Sequence, residues 1–236
     1  MLVKETISIS KEIEIVSDDI VRVTFEFSRE DIKKLREKAL SKLDTTGKQL
    51  HLSNFVLTLA YTATCLVKAK GEGDRLVVID LGVDCRTRLD PPIPITYFGN
   101  CVVYFESPTK PRNFMEENGF SFAVDMISDL VKDIKKGVLE SVEKKVLHFF
   151  IPSLPGLQVI AVTGSPNFDG YMSDFGLGWL KKVEIVTIDT DESIAMSGSR
   201  YGNGGIEVCL ALYKHEMENF ASLFYDGLRK NQLSKI

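Results

Sequence analysis

From Val21 to Phe27, apolar residues occupy every second position. This alternation predicts a strand with one buried face. Ser28 follows the strand and Asp31 stands three residues later, which is the spacing of a capping box at the start of a helix. The outer face of the predicted helix is strongly charged, so we expect a short amphipathic helix. Its apolar residues are Ile32, Leu35 and Leu40.

A second helix is predicted after a polar connector at 45–49. Ser53 can cap its first turn, and the helical pattern continues to about Lys70. Nearly every residue of this segment is apolar. A helix that is apolar on all sides is expected to be buried on all sides.

The pattern after Lys70 predicts a sheet with further helices. A long helix is predicted over 119–149, with a kink at Gly137, and a final amphipathic helix over 216–230. A loop with three prolines follows the strand predicted over 75–83. Strands and helices mix without strict alternation, so the predicted class is α/β or α+β with a mixed sheet. The predicted strands cover 75–83, 97–106, 158–163, 182–188, 193–199 and 205–213.

Composition and charge narrow the classes of partner. The chain has 236 residues and a net charge of -4, whereas a phosphate-binding face for nucleic acid would need a basic surplus. The longest apolar stretch, 55–67, is too short and too polar to span a bilayer. The chain turns charged directly after Val3, so no signal peptide is predicted. We therefore expect a cytoplasmic protein without nucleic-acid or membrane partners.

Metal and nucleotide sites are not predicted. The four cysteines form no C-x-x-C pair and there are only three histidines, so metal-ligand spacing is absent and reduced, half-buried thiols are expected. The glycines of 202–205 lack the Lys-Ser/Thr of a phosphate-binding loop, and 187–192 lacks the glycine and final glutamate of a calcium loop. Both segments are interpreted as hairpin turns.

Several segments together resemble the motifs of one family. The segments are, in chain order, Leu52–Val56, Asp84–Pro92, Tyr97–Cys101 (Y-F-G-N-C), Val162–Pro166, Asp174–Gly178 (D-F-G-L-G, close to D-F-G-W-G), Gly202–Gly205 and Lys214–Met217. The resemblance is to the plant BAHD acyl-CoA-dependent acyltransferases, and within them to the clade that acylates anthocyanins and phenolic glucosides. It runs from about Asp19 to Leu228, nearly the whole chain.

The chain departs from the family pattern at two places. The catalytic H-x-x-x-D of the family is missing, because no aspartate stands four residues after His51, His148 or His215. In the family this histidine lies in the N-terminal half, so the resemblance implies a C-terminal half only. Leu177 replaces the usual Trp of D-F-G-W-G, and a Trp stands at position 179 instead.

The resemblance implies roles for two arginines and the D-F-G-L-G residues. Asp174 would form a salt bridge with Arg86 or Arg88 and so tie the following turn to the proline-rich loop. Gly176 and Gly178 would allow the tight turn around Phe175 without a Cβ penalty. The alternative is an ordinary surface turn with a solvated aspartate.

Three further residues are candidates for binding rather than catalysis. Tyr97 and Asn100 could face the acceptor channel between two domains, or could be a packed aromatic and a turn-forming amide. Ser53 could meet coenzyme A at a helix N-terminus, or could only cap the helix. No catalytic residue is assigned, since His51 and His215 are better explained as surface or capping histidines.

The resemblance implies a chloramphenicol-acetyltransferase-like domain, with a mixed sheet flanked by helices. Residues 1–50 would be a strand, helix and connector from the interdomain region, and 51–236 the C-terminal domain. The implied reaction is transfer of a malonyl or hydroxycinnamoyl group from acyl-CoA, a co-substrate and not a tightly bound cofactor, to a hydroxyl of a phenolic or flavonoid glycoside. The alternative is a non-catalytic truncated remnant or interaction module. We expect self-association or a partner chain, because residues 52–70 and the strand faces that would meet the other domain would expose apolar surface.

Overall fold

The computed structural model describes residues 18–42, 49–94, 96–137, 156–168, 170–185, 188 and 193–233. Within these ranges the strands form one mixed sheet of six strands, in the order β1-β6-β5-β4-β2-β3. The elements are, in chain order, β1 (Ile20–Phe27), α1 (Arg29–Ser41), α2 (Asn54–Ala69), β2 (Leu76–Asp84), β3 (Val102–Thr109), α3 (Arg112–Met115), α4 (Gly119–Lys136), β4 (Leu157–Ser165), β5 (Ile194–Gly198), β6 (Ile206–Tyr213) and α5 (Lys214–Leu233).

The strand directions define two ends of this sheet. β4 pairs in parallel with both β2 and β5, while β3 and β6 run in the opposite direction. β1 is antiparallel to β6, so it runs with β2, β4 and β5. We call the end at which β1, β2, β4 and β5 finish the carboxyl end of the sheet.

One face of the sheet carries the main core. On β1 the alternating residues Phe25 and Phe27 point to this face and are fully buried. Phe25 lies 4.9 Å from Phe220 and Phe27 lies 4.8 Å from Phe224, ring centroid to centroid, which packs α5 along β1. The alternation predicted a half-buried strand here, and the structure confirms it.

Helix α2 runs through the centre of this core. Every residue from Val56 to Val67 is buried, and α1, α4 and α5 all contact the helix. The prediction of a helix buried on all sides is confirmed. The expectation that residues 52–70 would expose apolar surface is wrong, because these three helices of the same chain cover α2.

Helix α1 begins with the predicted capping box: the Ser28 side chain accepts from the Asp31 N–H, and the Asp31 side chain accepts from the Ser28 N–H. Leu40 was predicted to face the core but is 48% exposed, and Ala39 is buried in its place. The helical period explains the error. A residue four positions after Leu35 returns to the same face, whereas one five positions later has turned away from it.

The second face of the sheet is covered in part by the segment between β4 and β5. Ile188 and Ile185 pack with Ala195 of β5 and Cys209 of β6 in a second, smaller apolar cluster. This segment crosses the face because β4 and β5 are parallel, so the chain must return to the other end of the sheet before β5 begins.

Some predicted boundaries are corrected by the structure. The strand predicted over 97–106 begins only at Val102, and the described part of the strand predicted over 182–188 is not in the sheet. The helix predicted over 119–149 ends at Lys136, while residues 138–149 lie outside the described ranges. β1 lies in the same sheet as the later strands, and β1 and α1 pack in the same core as the later elements; the domain boundary near residue 50 stays a prediction. Among the described helices, none is long and apolar enough to cross a membrane.

Candidate functional site

The carboxyl end of the sheet collects the segments that the sequence analysis singled out. The loop from β2 to β3 carries Arg86, Tyr97 and Asn100 and leaves the sheet at this end. The segment after β4 carries Asp174, and the hairpin from β5 to β6 carries the glycines of 202–205. Ligands of open α/β sheets bind outside the carboxyl ends of parallel strands, so this end is the candidate site.

Arg86 organises the loop between β2 and β3. Its guanidinium donates to the carbonyl of Tyr97 at 3.2 Å and to the carbonyl of Gly99 at 2.8 Å. It also pairs with Asp84 Oδ1 at 2.9 Å. The backbone N–H and the guanidinium of Arg86 both lower the pKa of Asp84. The Y-F-G-N segment is therefore held through its carbonyl groups, as a loop and not as a strand.

The side chains of this loop remain available to a ligand. Tyr97 is 48% exposed and Phe98 is fully exposed, and Asn100 is exposed as well. The structure thus brings Tyr97 and Asn100 to the carboxyl end of the sheet on one loop. Their role in an acceptor channel stays a prediction.

The salt bridge expected between Asp174 and Arg86 or Arg88 is not formed, and all three residues belong to the described part of the chain. Asp174 Oδ1 instead accepts from the N–H groups of Gly176 at 2.7 Å and Gly178 at 3.2 Å. Arg88 donates to the Asp84 carbonyl at 2.7 Å. Each loop satisfies its own charge locally, which removes the reason for a bridge between them.

The D-F-G-L-G turn needs its glycines for conformational reasons. Gly176 and Gly178 have φ of +83° and +90°, values that side-chain-bearing residues rarely adopt. The turn leaves its apolar side chains in solvent, with Phe175 80% and Leu177 94% exposed. The aspartate-capped turn therefore presents an apolar surface.

Glu207 was missed by the sequence analysis. It is a buried carboxylate on β6, and the Tyr171 hydroxyl donates to its Oε2 at 2.8 Å while the Arg200 N–H donates to its Oε1 at 3.1 Å. Burial and the hydrogen bond to Glu207 raise the pKa of Tyr171. The sequence feature that could have pointed to Glu207 is its position as the one glutamate in the otherwise apolar strand from Ile206 to Tyr213. This contact fastens the D-F-G-L-G segment to the sheet.

A basic cluster surrounds the start of α2. Ser53 Oγ accepts from the Val56 N–H at 3.2 Å, which confirms the predicted cap. Arg36 donates to the carbonyl of Leu52 and to Asn54 Oδ1. Lys132 of α4 donates to the carbonyl of Gln49 and lies 3.5 Å from its neighbour Asp129.

His51 lies within the electrostatic influence of this cluster. Its backbone N–H donates to Ser128 Oγ at 2.7 Å, which holds it against α4. Burial, followed by the charges of Lys135 and Lys132, lowers the pKa of His51. A positive environment surrounds the imidazole, so an anion bound here would meet cationic side chains and the positive end of the α2 dipole.

The start of α2 lies on the same side of the molecule as the loops. Tyr61 contacts Phe27, the last residue of β1, with ring centroids 5.8 Å apart. Asn54 lies seven residues before Tyr61 in α2. At the helical rise per residue this is roughly 10 Å. The other end of α2 meets the start of β2, because Arg75 donates to the Val67 carbonyl at 3.3 Å. The first turn of α2 and the basic cluster are therefore directed toward the carboxyl end of the sheet.

Comparison with known proteins identifies the family. The sequence profile of the Transferase family matches residues 4–226. This chain belongs to that family, the BAHD acyltransferases. The family assignment predicted from the motifs is confirmed.

Two curated relatives of this BAHD chain come from Arabidopsis thaliana. A malonyl-CoA:anthocyanidin 5-O-glucoside-6''-O-malonyltransferase is 44% identical and covers 91% of this chain and 48% of the relative. Phenolic glucoside malonyltransferase 1 is 40% identical and covers 90% of this chain and 47% of the relative. The chain thus spans about half the length of the curated relatives it matches.

Solved structures confirm the predicted fold of this BAHD chain. Vinorine synthase superposes with a TM-score of 0.67 at 18% identity, over 90% of this chain and 48% of that structure. The shared architecture is the mixed sheet flanked by helices of the chloramphenicol-acetyltransferase-like acyltransferases. At this identity the likeness concerns the fold alone.

Proposed function

We propose that this chain forms one half of a BAHD acyltransferase that transfers a malonyl or hydroxycinnamoyl group from acyl-CoA to a hydroxyl of a phenolic or flavonoid glycoside. Two of its relatives are named as malonyltransferases, acting on an anthocyanidin glucoside and on phenolic glucosides. Since these relatives are about twice as long as the matched region, the complete site would need a second segment.

The basic cluster at the start of α2 is the observation that supports a role in acyl-CoA binding. Coenzyme A carries phosphates, which helix N-termini and cationic side chains bind well. Arg36, Lys132 and Lys135 come from two helices and converge around His51 and Ser53. Ser53 would contribute through its position at the first turn of α2.

The acceptor would approach from the loop between β2 and β3. Tyr97 and Asn100 present a ring and an amide to solvent at the carboxyl end of the sheet. A phenolic glycoside offers the matching groups, an aromatic ring for stacking and sugar hydroxyls for hydrogen bonds. We infer that these two residues form part of the acceptor surface.

The general base is expected from outside these residues. The acceptor hydroxyl must lose its proton as it attacks the thioester, yet the 236 residues contain no H-x-x-x-D. Burial, followed by the charges of Lys135 and Lys132, lowers the pKa of His51, and this residue lies in the proposed phosphate site. In the relatives, the unmatched half has the length to supply a base.

Binding of coenzyme A is tested by NMR titration of the histidines, with adenosine 3',5'-bisphosphate as the probe. We expect the probe to raise the pKa of His51, while the imidazole chemical shifts of His215 do not respond to the probe. Lys135→Ala should weaken binding, while Lys110→Ala, which removes an exposed lysine just after the end of β3, should not. Equal losses in the two variants would contradict the proposed site.

Acyl transfer is tested by adding the N-terminal half of a relative in trans. Malonyl-CoA or coumaroyl-CoA and a panel of anthocyanidin and flavonol glucosides would be the substrates, and thioester cleavage the readout. We expect product only when both halves are present. Product from this chain alone would show that it contains a base, and coenzyme A binding without product in the mixture would contradict the complementation.

The exposed apolar side chains favour a second candidate function, an interaction module without catalysis. Phe98, Phe175 and Leu177 stand in solvent on two loops, and exposed apolar groups of this size often mark contact surfaces. Self-association or partner binding that Phe175→Ser and Leu177→Ser abolish, with no acyl transfer in the mixture of halves, would support this alternative.

A further inference from the structure

Two cysteines face each other at the base of the loop between β2 and β3. The last paired residues of the two strands are Asp84 and Val102, so the next position outward sets Cys85 opposite Cys101. The Cys85 N–H donates to the Cys101 carbonyl at 2.9 Å, which extends the strand pairing by this step. Residues directly opposite in an antiparallel pair have their Cβ atoms roughly 4.5–5.5 Å apart, close to the distance of about 3.5–4.5 Å found in disulfides.

Both side chains lie on the same face of the sheet. Cys85 belongs to the main core cluster, and Cys101 is partly buried against that cluster. Both are free thiols. The other two cysteines are placed differently, since Cys65 lies inside α2 and Cys209 packs in the second cluster. The register therefore singles out one pair of thiols.

We propose that Cys85 and Cys101 are a redox-active pair that forms a disulfide on reaction with an oxidised thiol such as glutathione disulfide. The Cys101 thiolate attacks one sulfur of glutathione disulfide, whose S–S bond breaks and releases one glutathione thiolate. The Cys85 thiolate then attacks the Cys101 sulfur and releases the second. The two protons from the cysteines end on the two glutathiones, so one disulfide is reduced as one is formed.

The surroundings of the two thiols determine this order of attack. Cys101 is partly exposed and accessible to glutathione disulfide. Cys85 is buried, its Sγ donates to the Val83 carbonyl at 3.4 Å, and burial raises its pKa. A buried thiol of raised pKa reacts slowly with a bulky oxidant but can resolve a mixed disulfide formed on the residue opposite.

The bond would close a covalent ring around the loop that carries Arg86, Tyr97 and Asn100. Arg86 already holds this loop by hydrogen bonds to the carbonyls of Tyr97 and Gly99. A disulfide at its base would prevent the loop from separating from the sheet. This inference does not depend on acyl transfer, since it follows from the strand register alone.

Peptide mapping tests the pairing directly in the full chain. The native protein would be treated with glutathione disulfide, its remaining thiols alkylated, and the product digested with trypsin without reduction. Cleavage at Arg86 and Arg88 separates the two cysteines, and Lys110 resists cleavage because it precedes a proline. The peptides 76–86 and 89–112 therefore stay together only through a disulfide. We expect this linked pair of peptides, and its loss on reduction.

A denatured sample and two cysteine variants test whether the pairing is specific to the native fold. A sample oxidised in urea should show several pairings among the four cysteines, whereas the native sample should show one. Cys101→Ser should abolish the linked peptides, and Cys209→Ser should leave their yield unchanged. Glutathione held on Cys101 without a link, a Cys101–Cys101 link between two chains, or alkylation of both Cys85 and Cys101 in the treated native protein would each overturn the proposal.

Discussion

The Tyr171–Glu207 contact should be a measurable part of the stability of the domain. Tyr171 lies in the segment that crosses the second face of the sheet, and its hydroxyl donates to Glu207 Oε2 at 2.8 Å. The same hydroxyl accepts from the Val183 N–H at 3.4 Å. Tyr171→Phe removes the hydroxyl and keeps the ring, so it isolates the hydrogen bonds from the packing.

The expected cost follows from the burial of Glu207, which is 8% exposed. A hydrogen bond to a charged group contributes about 1.5–3 kcal/mol to stability. When a buried acceptor loses its donor, the free-energy cost of removing that acceptor from water is no longer offset by the hydrogen bond. The Arg200 N–H remains as a partner of Oε1, which limits the loss. We expect Tyr171→Phe to lower the free energy of unfolding by roughly 2 kcal/mol.

Urea unfolding followed by circular dichroism measures this loss. The matched control is Tyr213→Phe, which removes the hydroxyl of a tyrosine that is 46% exposed at the end of β6 and should change stability by less than about 0.5 kcal/mol. A double-mutant cycle with Glu207→Gln should show coupling between the two positions. Equal effects of the two tyrosine variants, or strict additivity in the cycle, would refute the reasoning.

Further predictions concern the core, a helix cap, a turn and pH. Phe224→Ala should lower the free energy of unfolding by about 4 kcal/mol because the ring is fully buried among aromatic rings; Phe175→Ala, at an exposed ring, should stay within about 0.5 kcal/mol in urea titrations. Ser28→Ala removes the cap of α1 and should cost about 1 kcal/mol by the same assay. Gly176→Ala should cost about 1–2 kcal/mol because the position has a positive φ, with exchange of the amides in this turn as a local readout. Burial and two neighbouring lysines lower the pKa of His51 in the folded chain, so the unfolded chain binds a proton on this imidazole more tightly. The free energy of unfolding should therefore fall as pH drops through about 6.5. His51→Gln should make this fall with pH smaller in urea titrations across that pH range.

Local patterns predicted the elements whose side chains alternate between core and solvent. The strands around Val23 and Ile160 were found because one face of each is packed in the core. The strand around Leu210 was found as an apolar run, because it is buried on both faces. The caps at Ser28 and Ser53 were found because they depend on hydrogen bonds within three residues. These features are determined by short segments, so a single sequence is sufficient to predict them.

Features that depend on distant partners were predicted less well. Tyr97 and Phe98 look like strand residues, but the guanidinium of Arg86 takes the carbonyl of Tyr97 that a ladder would use. The segment near Glu184 has no strand partner and lies across the sheet, where it pairs with Arg22 at 3.3 Å. The salt bridge of Asp174 was predicted from family resemblance, and local backbone donors satisfy the carboxylate instead.

The distribution of burial separates the core of this chain from the candidate site. The central helix α2 is covered by α1, α4 and α5, all from this chain, and the aromatic cluster between β1 and α5 closes one side of the core. The most exposed large apolar side chains, Phe98, Phe175 and Leu177, are on the loop between β2 and β3 and on the D-F-G-L-G turn. Stability and the candidate site therefore use different residues. Substitutions at Tyr97, Asn100 or Lys135 should change binding without unfolding the domain, whereas substitutions at Phe27 or Phe224 should do the reverse.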